Sequence, residues 1–240
     1  MTKYNTTQLY IDRAEERGIV HRDYLAHCLR WTHIIKNLRM GERILDVGCG
    51  VNTPLLWTCY TNKFSPKLYV GCDYRSKFET DPSKFPFQVE LINKFDVADG
   101  YDWEMLETKY PKPFDIIACL EVLEHMEKKD GIKLLENLSL YGNKSLIFLS
   151  TPCFNGSKAA NHIYEWSYLE LETELTKYFT IEERYGTFAS QSDILPHASS
   201  AERDVFNQLK RYYDSNILSI LLAPLHPEHS RNCIWRLRAR

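Results

Sequence analysis

Five short apolar runs recur along this chain at intervals too long for hairpins, and that rhythm limits the fold more than any other feature. Ile44–Val47, Leu68–Cys72, Val89–Ile92, Asp115–Leu120 and Ser145–Leu149 each have strand length, and the mixed segments between them can carry crossover helices. Strands joined by such crossovers lie parallel, with helices covering both faces of the sheet. Two further runs, Phe179–Glu182 and Cys233–Leu237, bring the expected count to seven. The expected fold class is therefore α/β, a doubly wound, mostly parallel seven-stranded sheet with a helical insert before the last strand. All 240 residues are expected in one domain: an N-terminal helical region (1–40), a core (41–184), the insert (185–232) and the last strand (233–240).

Within 1–40 the stretch HRDYLAHCLRWTHIIKNL reads as a helix, since Leu25, Cys28, Leu29, Ile34, Ile35 and Leu38 recur at helical spacing, interrupted by Trp31. In the insert, Ser199 and Glu202 have the spacing of a capping box. The pattern from there predicts one helix from Ser200 to about Leu222, with Val205, Phe206, Leu209, Tyr212 and Tyr213 on a shared face.

Composition excludes several classes. No window approaches the roughly 20 apolar residues that a membrane-spanning helix needs, and MTKYNTTQLY has no apolar stretch behind a basic start, so a cytoplasmic location without a leader is expected. The cysteines at 28, 49, 59, 72, 119, 153 and 233 are odd in number and form no C-x-x-C pair, which points to reduced thiols. A net charge of −2 gives no general pull on phosphates, so a long nucleic-acid groove is not expected.

The chemistry begins at ILDVGCGVNTP, residues 44–54, where an apolar strand ends in Asp46 and runs into Gly48 and Gly50. Glycines at the carboxyl end of a first strand let a ligand approach the backbone, and the next helix offers it free amides. A tight strand-to-helix turn would use them for purely structural reasons too. Dinucleotide sites continue as G-x-G-x-x-G, but Val51, Asn52 and Thr53 follow Gly50, which disfavours a nicotinamide coenzyme. The second strand ends in Asp73, at the distance where a carboxylate meets ribose hydroxyls, and NKFDVAD after the third supplies Asp96 beside an adenine. Acids at successive strand ends on one sheet edge make a nucleoside pocket.

These segments, with FDIIACLEVLEHM (114–126) and LIFLSTP (146–152), stand in the order found in the class I S-adenosylmethionine-dependent methyltransferases, which the chain resembles over about residues 20 to 185. Asn52 departs from the pattern, where many members have a further glycine. The resemblance implies S-adenosylmethionine as cofactor, contacted by Asp46, Gly48, Cys49, Gly50, Asp73, Tyr74, Asp96, Val97 and Leu120. It also implies an in-line transfer from an activated sulfonium, for which the protein aligns the acceptor and excludes water.

On the acceptor side, EVLEHM is expected to place Glu121, Glu124 and His125 on one helical face after the fourth strand, a set able to bind a divalent metal or to act as acid and base. The same acids would also suit a helix's first turn electrostatically. NHIYEWSYLEL brings His162, Glu165 and Trp166 to the same edge. The two motifs resemble the ubiquinone-pathway O-methyltransferases and the small-RNA 3′-terminal 2′-O-methyltransferases. By resemblance to the RNA branch, Glu121, Glu124, His125 and His162 would hold the metal, their oxygen and nitrogen donors suiting Mn²⁺, Fe²⁺, Co²⁺ or Zn²⁺; without a metal, His125 is the general base. The insert would cap this edge as a lid, with Tyr212, Tyr213, His197, His226 and His229 as lid or surface residues. Arg236, Arg238 and Arg240 alternate with apolar residues as on the wet face of an antiparallel strand.

The leading expectation is methyl transfer to a hydroxyl or amine of a small-molecule or nucleotide acceptor. RNA is an alternative, set back by the missing basic surface and by the lack of an RNA-binding module. A non-catalytic binding subunit on the same fold is a third reading.

Overall fold

The computed structural model describes residues 22–240, so the reading of the first ten residues as no leader lies outside the described residues. The first element, α1 (Arg22–Asn37), precedes an alternating succession of strands and helices: β1 (Arg43–Val47), α2 (Pro54–Thr61), β2 (Leu68–Cys72), β3 (Gln88–Ile92), α3 (Gly100–Lys109), β4 (Ile116–Leu120), α4 (Lys128–Tyr141), β5 (Leu146–Pro152) and α5 (Tyr168–Tyr178). Then come β6 (Phe179–Phe188), three short helices, α6 (Gln191–Ile194), α7 (Ser200–Leu209) and α8 (Ser215–Leu222), and the closing β7 (Asn232–Ala239).

The seven strands form one sheet in the order β3-β2-β1-β4-β5-β7-β6. The first five pair in parallel, while β7 runs antiparallel to both β5 and β6. Burial follows from this order. The central strands are covered on both faces, so LYVGC is buried at every position of β2, the near-continuous apolar reading of a parallel strand. On the outer strand β6 exposure alternates, and its wet face carries Glu182 and Glu183 opposite Arg236 and Arg238. One core layer gathers Trp103, Leu134, Leu138, Trp166 and Leu175 from α3, α4, α5 and the approach to α5. The other packs Trp31 and Ile34 of α1 and Leu55 and Leu56 of α2 beneath the opposite face. All seven cysteines are free thiols, and no described helix is long and apolar enough to cross a membrane.

Three expectations need correction. β6 does not stop at Glu182 but runs on to Phe188, so the insert begins after 188 rather than at 185. Gly186 makes the extended pairing possible: a Cβ there would lie 2.2 Å from the Ala223 carbonyl oxygen and 2.2 Å from Ser230 Oγ, where the insert folds back onto the strand. The capping box of Ser199 and Glu202 is present, but the helix it starts ends at Leu209, and Asp214 caps a second one, its carboxylate accepting from the Asn216 amide at 2.8 Å. Tyr212 and Tyr213 fall in the break and are exposed, and Val205 is exposed as well, so no continuous face joins them to buried Phe206.

Candidate active site

The strand order reverses between β1 and β4, one flanked by β2 and the other by β5, and a ligand crevice opens at the carboxyl ends of strands at such a point. A cavity of about 1410 Å³ lies there. Of the residues named from sequence for cofactor or acceptor, Asp46, Gly48, Cys49, Gly50, Asp73, Tyr74, Asp96, Val97, Leu120, Glu121, Glu124, His125 and His162 line it, whereas Glu165 and Trp166 lie behind its lining.

The glycine turn makes the floor. Gly48 and Gly50 both have φ near 70°, and the Gly48 and Cys49 amides donate to the Cys72 carbonyl at 2.8 and 3.1 Å. A Cβ on Gly48 would meet Val122 Cγ2 at 2.3 Å, so the turn and the segment after β4 share space that only glycine leaves open. Asp73, buried at the end of β2, accepts from the Gly50 amide at 2.9 Å and from the Arg75 amide at 3.0 Å, which fixes its carboxylate beneath the loop. Asp96 is exposed at the rim and accepts from the Ala98 amide at 2.9 Å. Asp46 is almost completely buried, takes a hydrogen bond from the Tyr69 hydroxyl, and has Asp73 nearby. Burial pushes its pKa up to about 7, and the Asp73 charge adds to the rise against the lowering effect of Tyr69.

The EVLEH segment is not one helical face. Glu121 has φ 58°, in the left-handed region, and only Leu123–His125 turn, as a single 3-10 turn. This kink separates the carboxylates. Glu124 is 1% exposed, accepts from Thr151 Oγ1 at 3.0 Å, and presents Oε1 4.0 Å from His125 Nε2. Its backbone carbonyl accepts from the Ile163 amide at 2.7 Å, which pins the loop carrying His162 against it. The His125 and His162 rings meet edge to face at 5.2 Å. One ligand atom from each of Glu124, His125 and His162 lies within 4.8 Å of the others, the group of this kind found among the described residues. Glu121 stands outside it, engaged by Arg30, Ser150 and Asn232.

Electrostatics suits this trio to a cation. Burial raises the Glu124 carboxyl well above its ordinary range, and the neighbouring Glu121 raises it further. Burial lowers the His125 pKa against the pull of the Asn161 carbonyl, so the ring is neutral near pH 7. His162 Nδ1 lies 2.5 Å from Glu165 Oε1, and Glu165 Oε2 pairs with Arg231 Nη1 at 2.8 Å. Although burial opposes it, Arg231, His162 and the Ala159 amide together hold Glu165 below the usual carboxylate range. An ionised Glu165 accepts a hydrogen bond from His162 Nδ1 and so fixes the orientation of the ring.

Sequence reading missed the remaining wall. Ala26, His27, Arg30 and Trp31 of α1 line the cavity, as do Phe188, Arg231 and Asn232 at the two ends of the insert. Trp31 had shown itself only as an interruption in an apolar stripe. The insert's helices do not line the cavity, and neither do His197, His226, His229, Tyr212 or Tyr213; α8 packs behind α1 instead.

Comparison with known proteins agrees with this architecture. Over 148 residues the chain is 28% identical to a small RNA 2′-O-methyltransferase of Rattus norvegicus, covering 55% of this chain and 36% of that protein, so it spans about a third of the relative's length. The N-methyltransferase NodS of Bradyrhizobium japonicum, solved with S-adenosyl-L-homocysteine, superposes with TM-score 0.58 at 12% identity over 98% of this chain and 99% of that one. The small RNA methyltransferase HEN1 superposes with TM-score 0.56 at 18% identity over 87% of this chain and 25% of that one. At those identities the two structures speak for the fold. Residues 20–187 match the family model of the methyltransferase domain, and the chain belongs to that family.

Proposed function

We propose that this chain is an S-adenosylmethionine-dependent O-methyltransferase that modifies the 2′-hydroxyl of a 3′-terminal ribose in RNA with the help of a divalent ion. The observation that carries the reading is the convergence of Glu124, His125 and His162 at the mouth of the cofactor cavity. Their donor set fits such an ion: a buried carboxylate with one oxygen facing the histidines, and two imidazoles whose Nδ1 atoms lie against acceptors, Asn161 and Glu165. A carboxylate behind a ligating imidazole, as Glu165 lies behind His162, is the usual support of a metal site. The rat relative's activity supports the choice of acceptor.

The cofactor supplies a methyl group already activated on its sulfonium. The residues bind and align: the Gly48–Gly50 turn lets the backbone approach, Asp73 offers its oxygens to ribose hydroxyls, and Asp46 gives a cationic group a partner that burial has made costly to ionise. A divalent ion held by Glu124, His125 and His162 would supply a Lewis acid that lowers the acceptor hydroxyl's pKa. With a net charge of −2 the chain has no general pull on phosphates, so recognition rests on the chain end rather than on a run of them.

The test is transfer from cofactor labelled in its methyl group to short RNAs that end in either a 2′,3′-diol or a 2′-deoxy ribose. Label should enter the diol alone, stop with chelator, and return with Mn²⁺ or Co²⁺. Equal labelling of both ends, or full activity of metal-free protein in excess chelator, would overturn the reading. The near-neutral surface favours a second one, a small-molecule or nucleotide hydroxyl, and free nucleosides and phenols in the same assay separate the two.

A further inference from the structure

We propose that Glu121 is not a metal ligand but half of a clasp: with Arg30 it holds α1 in place as the wall that faces the acceptor. The proposal rests on the metal reading above only in saying which site Glu121 stays out of. Its oxygens are already occupied. Oε1 accepts from Ser150 Oγ at 2.7 Å and Asn232 Nδ2 at 3.0 Å, while Oε2 accepts from Asn232 Nδ2 at 2.8 Å and lies 3.3 Å from Arg30 Nη1. These partners come from β5, β7 and α1, so one carboxylate joins three elements at the sheet edge. Turning it to the ion would leave Arg30, 3% exposed, as an uncompensated buried cation. The left-handed backbone at Glu121 is what directs it away from the Glu124 group.

Arg30 completes the wall. Its Nη2 donates to His27 Nδ1, and His27 stacks on Trp31 with ring centroids 5.6 Å apart and planes 20° off parallel. Burial first, then the charge of Arg30, pushes the His27 pKa down to about 2, so the ring is a neutral aromatic surface. His27, Arg30 and Trp31 all line the cavity, with Arg30 against Glu121. The faces of the neutral His27 ring and of Trp31, beside the Arg30 guanidinium, suit a planar ring in the acceptor, for which stacking contributes without hydrogen-bond selectivity.

Hydrogen exchange of the full chain, read by mass spectrometry over residues 25–37, tests the clasp, with Mn²⁺ titrated in parallel by electron paramagnetic resonance. Arg30→Gln and Glu121→Gln should each speed exchange of α1 tenfold or more, with the double variant no faster than the worse single one. Arg30→Lys should recover exchange to within threefold of the parent. Glu121→Gln should shift the Mn²⁺ dissociation constant less than threefold, while Glu124→Gln raises it at least tenfold and leaves α1 unchanged. The proposal is overturned if Glu121→Gln weakens Mn²⁺ as Glu124→Gln does while α1 stays protected. Should Glu121→Gln fail to fold, the two Arg30 variants decide, and parental exchange in Arg30→Gln overturns the clasp. A parent protein that takes up no Mn²⁺ overturns the metal reading instead, with α1 exchange still deciding the clasp.

Discussion

Asp46→Asn should make the protein more stable and, at the same time, a poorer binder of its cofactor. Asp46 ends β1 almost fully buried, bonded to Tyr69 and near Asp73. Its pKa rises from the ordinary 3.8 to about 7, a change of about 3 units, and at about 1.4 kcal/mol per unit the ionised group costs the folded state about 4 kcal/mol. The sign follows from the direction. The folded protein holds the proton more tightly than the unfolded chain, so stability is intact below pH 3.8 and is lost as pH rises towards 7. Asparagine removes this dependence while its carbonyl still accepts from the Tyr69 hydroxyl. Urea unfolding of both proteins from pH 5 to pH 8 should therefore show Asp46→Asn gaining on the parent by about 2–3 kcal/mol across that interval. A stability difference that stays flat from pH 5 to pH 8 would falsify the argument. On the proposed function the same cost has a use in the site, because a cationic group of the cofactor would give the carboxylate a partner. Calorimetry at pH 8 should then find S-adenosylhomocysteine bound about tenfold more weakly by Asp46→Asn, in keeping with a lost charge-assisted bond of about 1.5 kcal/mol.

Asp73→Ala removes the anchor of the Gly50 amide and the proposed ribose partner, and should weaken S-adenosylhomocysteine by about 1.5–3 kcal/mol in calorimetry; unchanged affinity in a folded variant removes Asp73 from the site. Gly48→Ala meets Val122 Cγ2 at 2.3 Å in a left-handed backbone, so a loss of about 1–3 kcal/mol in urea unfolding is expected. Val122→Ala in that background should return part of the loss, and no recovery would show that the backbone rather than the contact sets it. Glu165→Gln breaks the buried pair with Arg231 and frees His162 to rotate, so Mn²⁺ affinity should fall about 10–100-fold. An Mn²⁺ titration that superposes on the parent's would refute that support role.

The sequence by itself determined the sheet and the place of the site. Apolar runs such as LYVGC are legible because both faces of a parallel strand are buried, and the glycine turn is legible because φ near 70° and the Val122 contact leave room for nothing larger at Gly48. Strand-end acids fall on one edge whenever strands run parallel, which is why Asp46, Asp73 and Asp96 reach one cavity. What spacing could not supply was direction. Glu121 and Glu124 look equivalent at i and i+3, yet the left-handed residue at 121 sends one carboxylate to Arg30 and the other to the histidines. The break between α7 and α8 was hidden because Val205, Tyr212 and Tyr213 continue an apolar pattern that ends at the surface. The wall made by α1 rests on contacts that the chain closes over very long separations, such as Arg30 to Glu121 and Glu121 to Asn232. Only the tertiary structure decides such pairs, because neither partner carries a local signal of the other.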